Sequence, residues 1–219
     1  MTMRQRMRKR RLPYDAEAAR RHLRKADPVM RGLIQLLGPF ELETRGTPYQ
    51  SLLRAILYQQ LAGPAAAAIE RRLLALYGGR VPEPDQVLDT QPEAMRAAGL
   101  SRQKSSYLYS LAEHAKGGAL EYRALARLSD EGVIERVTEV RGIGRWTAEM
   151  LLMFCLGRPD VLPVDDLGVR RSMMLAYGLR ELADANEMLR IGEVWRPYRS
   201  AASWYLWRST DVITADMTL

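Results

Sequence analysis

Apolar positions in this chain recur at intervals of three and four residues far more than at every second residue, and the elements this predicts are almost all amphipathic helices. In "YQSLLRAILYQQL", Leu52, Leu53, Ile56 and Leu57 fall on one face. Thr47-Pro48 supplies a cap and a first-turn proline there, and Gly63-Pro64 breaks the pattern. "AAAAIERRLLALYGG" follows as a second helix closed by a glycine pair. Upstream, Asp15 precedes "AEAARRHLRKA", and Asp27-Pro28 opens "VMRGLIQLL" before Gly38-Pro39 ends it. Downstream the pattern continues through "PEAMRAAGL", "RQKSSYLYSLAEHAKGG", "DEGVIERVTEV", "RWTAEMLLMFCLG", "DDLGVRRSMMLAYGL" and "YRSAASWYLWRST". Only "FELETR", residues 40–45, alternates like a strand. The predicted fold class is all-α: about ten helices joined by short turns, with no internal repeat.

Composition narrows the partners. At 219 residues and 47% hydrophobic content the chain has enough apolar material for one good core or two small domains, so disorder is not expected. Its net charge is +7, carried mostly by arginine, whose planar fork pairs with phosphate; a polyanion partner is favoured, although many basic proteins bind no nucleic acid. A lone cysteine, Cys155, excludes a disulfide within the chain and suits a reducing compartment, and with only two histidines it gives no zinc or iron-sulfur ligand set. No apolar run reaches about 18 residues, and "MTMRQRMRKRRLPYD" has charge with no apolar segment behind it. The expectation is a cytoplasmic protein that makes no membrane contact, with a largely solvated, mobile basic tail.

Three features carry candidate chemistry. In "VRGIGRWTA" a helix is expected to end near Val140 and another to begin near Arg145. Gly142 and Gly144 lie in the turn between, where they allow positive φ and bare the backbone. Amides at the new helix start would suit a phosphate, and a glycine-rich joint between two helices would look the same. About twenty residues on, "RPDVLPVDDLG" delivers Asp165 and Asp166 to the start of another helix. The pair reads equally as a doubled N-cap or as one cap beside a carboxylate that stabilises a cationic transition state. Finally, Trp146 follows the hairpin, and Trp195, Tyr198, Trp204, Tyr205 and Trp207 crowd the C-terminal region. Such a stripe is core or, with Trp204 and Trp207 three apart on one face, the wall of a pocket for a flipped base.

Together these features resemble the helix-hairpin-helix DNA glycosylase superfamily, here with the hairpin Val140-Arg141-Gly142-Ile143-Gly144. Within it, "GRWTAEM", "PVDDLGVRR", "RAILYQQLAGPAA" and "WRPYRSAASWYLW" are similar to the 3-methyladenine DNA glycosylase II branch, over residues 47 to 208. The resemblance implies a compact form without the N-terminal mixed α/β domain of larger bacterial relatives. It also implies two helical subdomains with a lesion cleft between them. Residues 49–158 would carry the wedge loop and hairpin, 1–48 would pack with the C-terminal part, and 159–219 would carry the catalytic aspartate.

By the same resemblance Asp166 is catalytic and Asp165 the helix cap. Trp146 and Trp207 line the base pocket with Met150, which stands where one relative has an aromatic. Gln60, with Leu61 as the second choice, fills the hole left by the flipped nucleotide. Gly142, Ile143, Gly144 and Arg145 hold DNA phosphate. No cofactor is required, but backbone carbonyls of Thr138, Val140 and Ile143 match positions that bind a structural Na+ or K+. Strand-cleaving members have a lysine where this chain has Trp146, so a monofunctional enzyme is expected. The implied function is excision of alkylated purines of the 3-methyladenine and 7-methylguanine type from double-stranded DNA, with no protein partner implied. Two rivals stand: a non-catalytic DNA-damage-binding module, which would not need Asp166, and a glycosylase for oxidised or mismatched bases, which would want the missing lysine or hydrogen-bonding groups for a neutral base.

Overall fold

The structure is a computed structural model that describes the backbone of residues 2, 3 and 7–216 and the side chains up to residue 210. Among the described residues it holds thirteen α-helices and one two-stranded ladder, an all-α protein. Clustering of contacts divides the chain into two compact units, Met1–Arg10 with Thr44–Leu156, and Arg11–Glu43 with Gly157–Leu219.

The first unit is built around α7 (Arg102–Lys116), against which α3 (Pro48–Tyr58), α5 (Pro84–Asp89) and α6 (Pro92–Ala97) pack. The apolar face of α3 predicted from spacing is buried whole, with Leu52, Leu53, Ile56 and Leu57 at no more than 1% exposure. Thr47 and Gln50 close its start as a reciprocal capping box. Helix α4 (Gly63–Ala75) lies on α3. After α8 (Tyr122–Ala126), α9 (Asp130–Thr138) and α10 (Arg145–Leu151) pack on one another and α10 reaches α3. Residues Leu152–Leu156, expected as a plain continuation of the helix, form a π-helical turn in which Leu152, Met153, Cys155 and Leu156 are buried. An unbroken apolar run holds no period from which such a widening could be read.

Two expectations for the N-terminal part are corrected. The tail is not simply solvated: Met3 and Met7 are buried, and Lys9–Arg10 (β1) pairs antiparallel with Thr44–Arg45 (β2). Arg10 stacks on Tyr122 at 4.2 Å and donates to the Cys155 carbonyl at 2.9 Å. The charged head therefore finds partners while the methionines bury area, and the segment up to Arg10 joins the first unit rather than the C-terminal part. The expected strand over 40–45 keeps its alternation, with Phe40, Leu42 and Thr44 buried, yet only Thr44–Arg45 finds a ladder partner.

The second unit packs α13 (Arg199–Asp216) against α11 (Leu167–Tyr177), α2 (Pro28–Leu37) and α1 (Ala16–Ala26). A short helix, α12 (Ala185–Gly192), leads into a 3-10 turn, Glu193–Trp195, that lies on α1. Leu23, Met30, Met173, Trp195 and Tyr205 are fully buried at its centre. Among the described residues no helix is long and apolar enough to cross a membrane.

Candidate active site

In the second unit the segment leading into α11 buries Val161, Leu162 and Pro163. The Asp166 amide donates to the Pro163 carbonyl at 3.0 Å, which turns the chain so that the Asp166 side chain faces the helix it precedes. Asp166, with extended backbone (φ −75°, ψ 114°), is the N-cap: its Oδ1 accepts from the Val169 amide at 2.8 Å. This reverses the expected division of labour, in which Asp165 capped; Asp165 stands exposed one residue too early to reach that amide. The same Oδ1 accepts from Trp207 Nε1 of α13 at 2.9 Å. Two N–H donors thus fix a carboxylate that is only 8% exposed, and an oriented, shielded negative charge interacts strongly with any positive charge that develops beside it.

The aromatic crowd separates into two groups. Trp195 is fully buried and donates from Nε1 to Asp27, and Trp204 meets the rings of Phe40 and Tyr205 edge-on at 5.2 and 5.0 Å. Trp195 belongs to the core, and the half-buried Trp204 packs on the aromatic cluster of Phe40 and Tyr205 rather than on Asp166. Trp207, half-buried beside Asp166, belongs to the site. Gly168, which the sequence reading passed over, sits beneath this pair: a Cβ there would lie 3.0 Å from Asp166 Oδ1 and 3.2 Å from Trp207 Cδ1.

The hairpin forms in the first unit. Ser129 caps α9, and the helix ends at Thr138, two residues before the predicted Val140. Val140 and Ile143 are buried and joined by a 3.1 Å bond from the Ile143 amide to the Val140 carbonyl. Gly142 has φ +82°, and a Cβ on it would lie 2.2 Å from the Tyr107 ring, so both conformation and space demand glycine. Gly144 caps α10 with its backbone alone, and the space around it is open.

Arg145, expected on phosphate, makes a bidentate pair with Glu131 at 2.8 Å per bond and reaches Glu149 at 3.4 Å. The hydrogen bond from Arg145 holds the Glu131 carboxyl below the usual carboxylate range, and the same bond raises the guanidinium. As the structure stands, this fork braces the two hairpin helices. Trp146 is 45% exposed at the start of α10, and Met150 is half-buried one turn on.

Beyond α3 the chain passes through a tight turn in which Gln60 adopts φ +56°, and both Gln60 and Leu61 are exposed. Gln59, absent from the sequence reading, donates from Nε2 to the Gly142 carbonyl at 2.8 Å and so ties this turn to the hairpin. Lys104 donates to the Leu57 carbonyl at 2.7 Å, and burial lowers its ammonium from the ordinary lysine value. Nothing in the sequence marks Gln59, because the contact spans more than eighty residues. Gly168 left a faint sign: a glycine inside a helical pattern with no turn to explain it.

A family model described as HhH-GPD superfamily base excision DNA repair protein matches residues 53–197. The chain belongs to that superfamily. Among HhH-GPD relatives, the DNA-3-methyladenine glycosylase 1 of Schizosaccharomyces pombe is 39% identical over 202 residues, covering 90% of this chain and 88% of that one. The structure of a 3-methyladenine DNA glycosylase from that yeast in complex with abasic DNA superposes with a TM-score of 0.79 at 38% identity, covering 89% and 97%. A DNA-3-methyladenine glycosidase from Bacillus halodurans gives a TM-score of 0.83 at 36% identity, with 95% of each chain covered. Where strand-cleaving HhH-GPD members are expected to carry a lysine, this one has Trp146, whose indole can neither attack a sugar nor form an imine.

Proposed function

We propose that this protein is a monofunctional DNA glycosylase that releases alkylated purines from double-stranded DNA and leaves an abasic site. The observation that carries this reading is Asp166, shielded at the start of α11 and held by the Val169 amide and the Trp207 indole. A carboxylate so placed suits stabilisation of the cationic sugar that forms as the bond from C1′ to the base nitrogen breaks. The electron pair leaves with the base, water adds to C1′ and gives up a proton, and the products are free base and an abasic sugar. Alkylation of a ring nitrogen makes the base a cation, which improves it as a leaving group and draws it onto an electron-rich face such as that of Trp207, beside Asp166. In this reading Gln60 or Leu61 fills the gap left in the duplex.

The hairpin backbone at Gly142, Ile143 and Gly144 is the expected phosphate contact. The carbonyls of Thr138, Val140 and Ile143 are neutral oxygens of the kind a hard cation takes, and Val140 keeps a lone pair beyond its bond to Ile143. They fit a structural Na+ or K+, which when bound would add positive charge toward DNA.

The test compares the wild-type protein with Asp166→Asn on a duplex containing 7-methylguanine, scoring free base and strand breaks separately, with and without alkali. Expected are free base from the wild type, breaks only after alkali, and a loss of about 10² to 10³ in rate for the variant, whose amide still caps α11. A wild-type protein that binds the duplex and releases no alkylated base overturns the reading in favour of a damage-binding module.

A further inference from the structure

Gly168 occupies the second position of α11, a helical site where φ lies outside the left-handed region, so no backbone need explains it. Glycine is a poor helix residue, and a chain that keeps one in regular helix forgoes stability that alanine would supply. The reason lies in what surrounds it. A Cβ at position 168 would stand 3.0 Å from Asp166 Oδ1, 3.2 Å from Trp207 Cδ1 and 3.4 Å from Trp207 Nε1. Two of these atoms, Asp166 Oδ1 and Trp207 Nε1, are the partners of the hydrogen bond that joins indole to carboxylate, at 2.9 Å. At those distances a neighbour must give by a few tenths of an ångström. Asp166 is pinned through the same oxygen to the Val169 amide, so the half-buried Trp207 ring is the partner that must move.

We infer that Gly168 is a positioning residue: the side chain it lacks is what admits the Trp207 indole to Asp166. Through that bond it sets the orientation of the carboxylate and of the ring at the same time. Any larger residue lengthens or breaks the indole bond and turns both groups away from their working geometry. The inference rests on the reading of Asp166 as the reacting carboxylate.

Gly32 supplies the internal control. It too is helical, in α2, but a Cβ on it would meet nothing within 4 Å. Gly32→Ala should therefore hold or raise Tm through helix propensity, whereas Gly168→Ala sets the same gain against the crowded indole bond. The Trp207 indole N–H resonance in a proton-nitrogen spectrum, assigned by its absence in Trp207→Phe, reads the hydrogen bond without substrate. Expected for Gly168→Ala is a displaced Trp207 resonance and a fall in kcat of about 10-fold or more, with KM changed less than about threefold, as for lost transition-state stabilisation. Gly32→Ala should leave both unchanged. In a Trp207→Phe background, Gly168→Ala should add less than about twofold, because the bond it disturbs is already gone.

An unmoved indole resonance, or a Gly168→Ala protein as active as wild type, overturns the inference. So does a Gly168→Ala protein whose lost activity is fully accounted for by the fraction unfolded at the assay temperature, the mark of a merely structural glycine. A wild-type chain inactive on methylated duplex overturns the functional reading instead, and the indole resonance then decides the positioning inference by itself.

Discussion

At Gln60 a long side chain is held in the left-handed region at φ +56°, the one non-glycine residue with positive φ among those described. Such a conformation costs about 1–2 kcal/mol for an L-residue, and it persists where the surroundings over-determine it. Here they do: the Gln59 amide bonds back to the Ala55 carbonyl at 3.1 Å, and the Gln59 side chain grips the Gly142 carbonyl. Strain placed on the residue expected to enter the duplex suggests that stability has been traded for the direction of that side chain. Gln60→Gly should relieve the strain and leave the gap unfilled. The expectation is a thermal melt unchanged or raised by up to about 1 kcal/mol, with base release slowed in single-turnover assays. A less stable, fully active variant would count against the wedge role. The two aspartates teach the complementary lesson. Their adjacency was visible in the chain, but which of them caps α11 depends on the turn at Pro163, and the structure gives the cap to Asp166.

Among elements, Asp27 shows how the second unit is fastened. As N-cap of α2 it accepts from the Val29 and Met30 amides, and its other oxygen accepts from Tyr177 Oη at the end of α11 and Trp195 Nε1 of the 3-10 turn. One buried carboxylate therefore joins three elements, and burial together with the bond to Asp27 pushes the Tyr177 hydroxyl far above its ordinary ionisation range. Asp27→Ala would remove a cap and leave an indole N–H and a phenol without a partner. The expected cost is about 3 kcal/mol, a fall in Tm of roughly 6–12 °C by calorimetry, with Tyr177→Phe costing about 1 kcal/mol. The helices that periodicity missed are α5, α8 and α12, of six, five and eight residues. None offers enough turns for a repeating face to emerge, and packing rather than propensity stabilises pieces so short.

For the whole molecule, the net charge of +7 bears on association rather than on fold. Binding to undamaged duplex should weaken linearly on logarithmic axes as salt rises. An interface neutralising about six phosphates would lose roughly 10³-fold between 50 and 200 mM, measurable by fluorescence anisotropy. A flat salt response would argue against backbone phosphate as the main contact.

The sequence by itself determined that the chain folds as helices. It also placed the hairpin at Gly142 and Gly144, made Asp166 the carboxylate to watch, and set Trp146 where a nucleophilic lysine would otherwise stand. The helices and the hairpin follow from periodicity and glycine's conformational freedom, while the choice of Asp166 over Asp165 and the contrast of Trp146 with a lysine come from the family resemblance. The tertiary structure alone decided that the Trp207 indole donates to Asp166, that Gln59 grips the hairpin, that Arg145 spends its fork on Glu131, and that the basic tail is anchored through Arg10. Apart from the Arg145 brace, which spans fourteen residues, these contacts join segments at least forty-one positions apart. Local patterns carry no record of separations so long; only chain packing brings such groups within hydrogen-bonding reach.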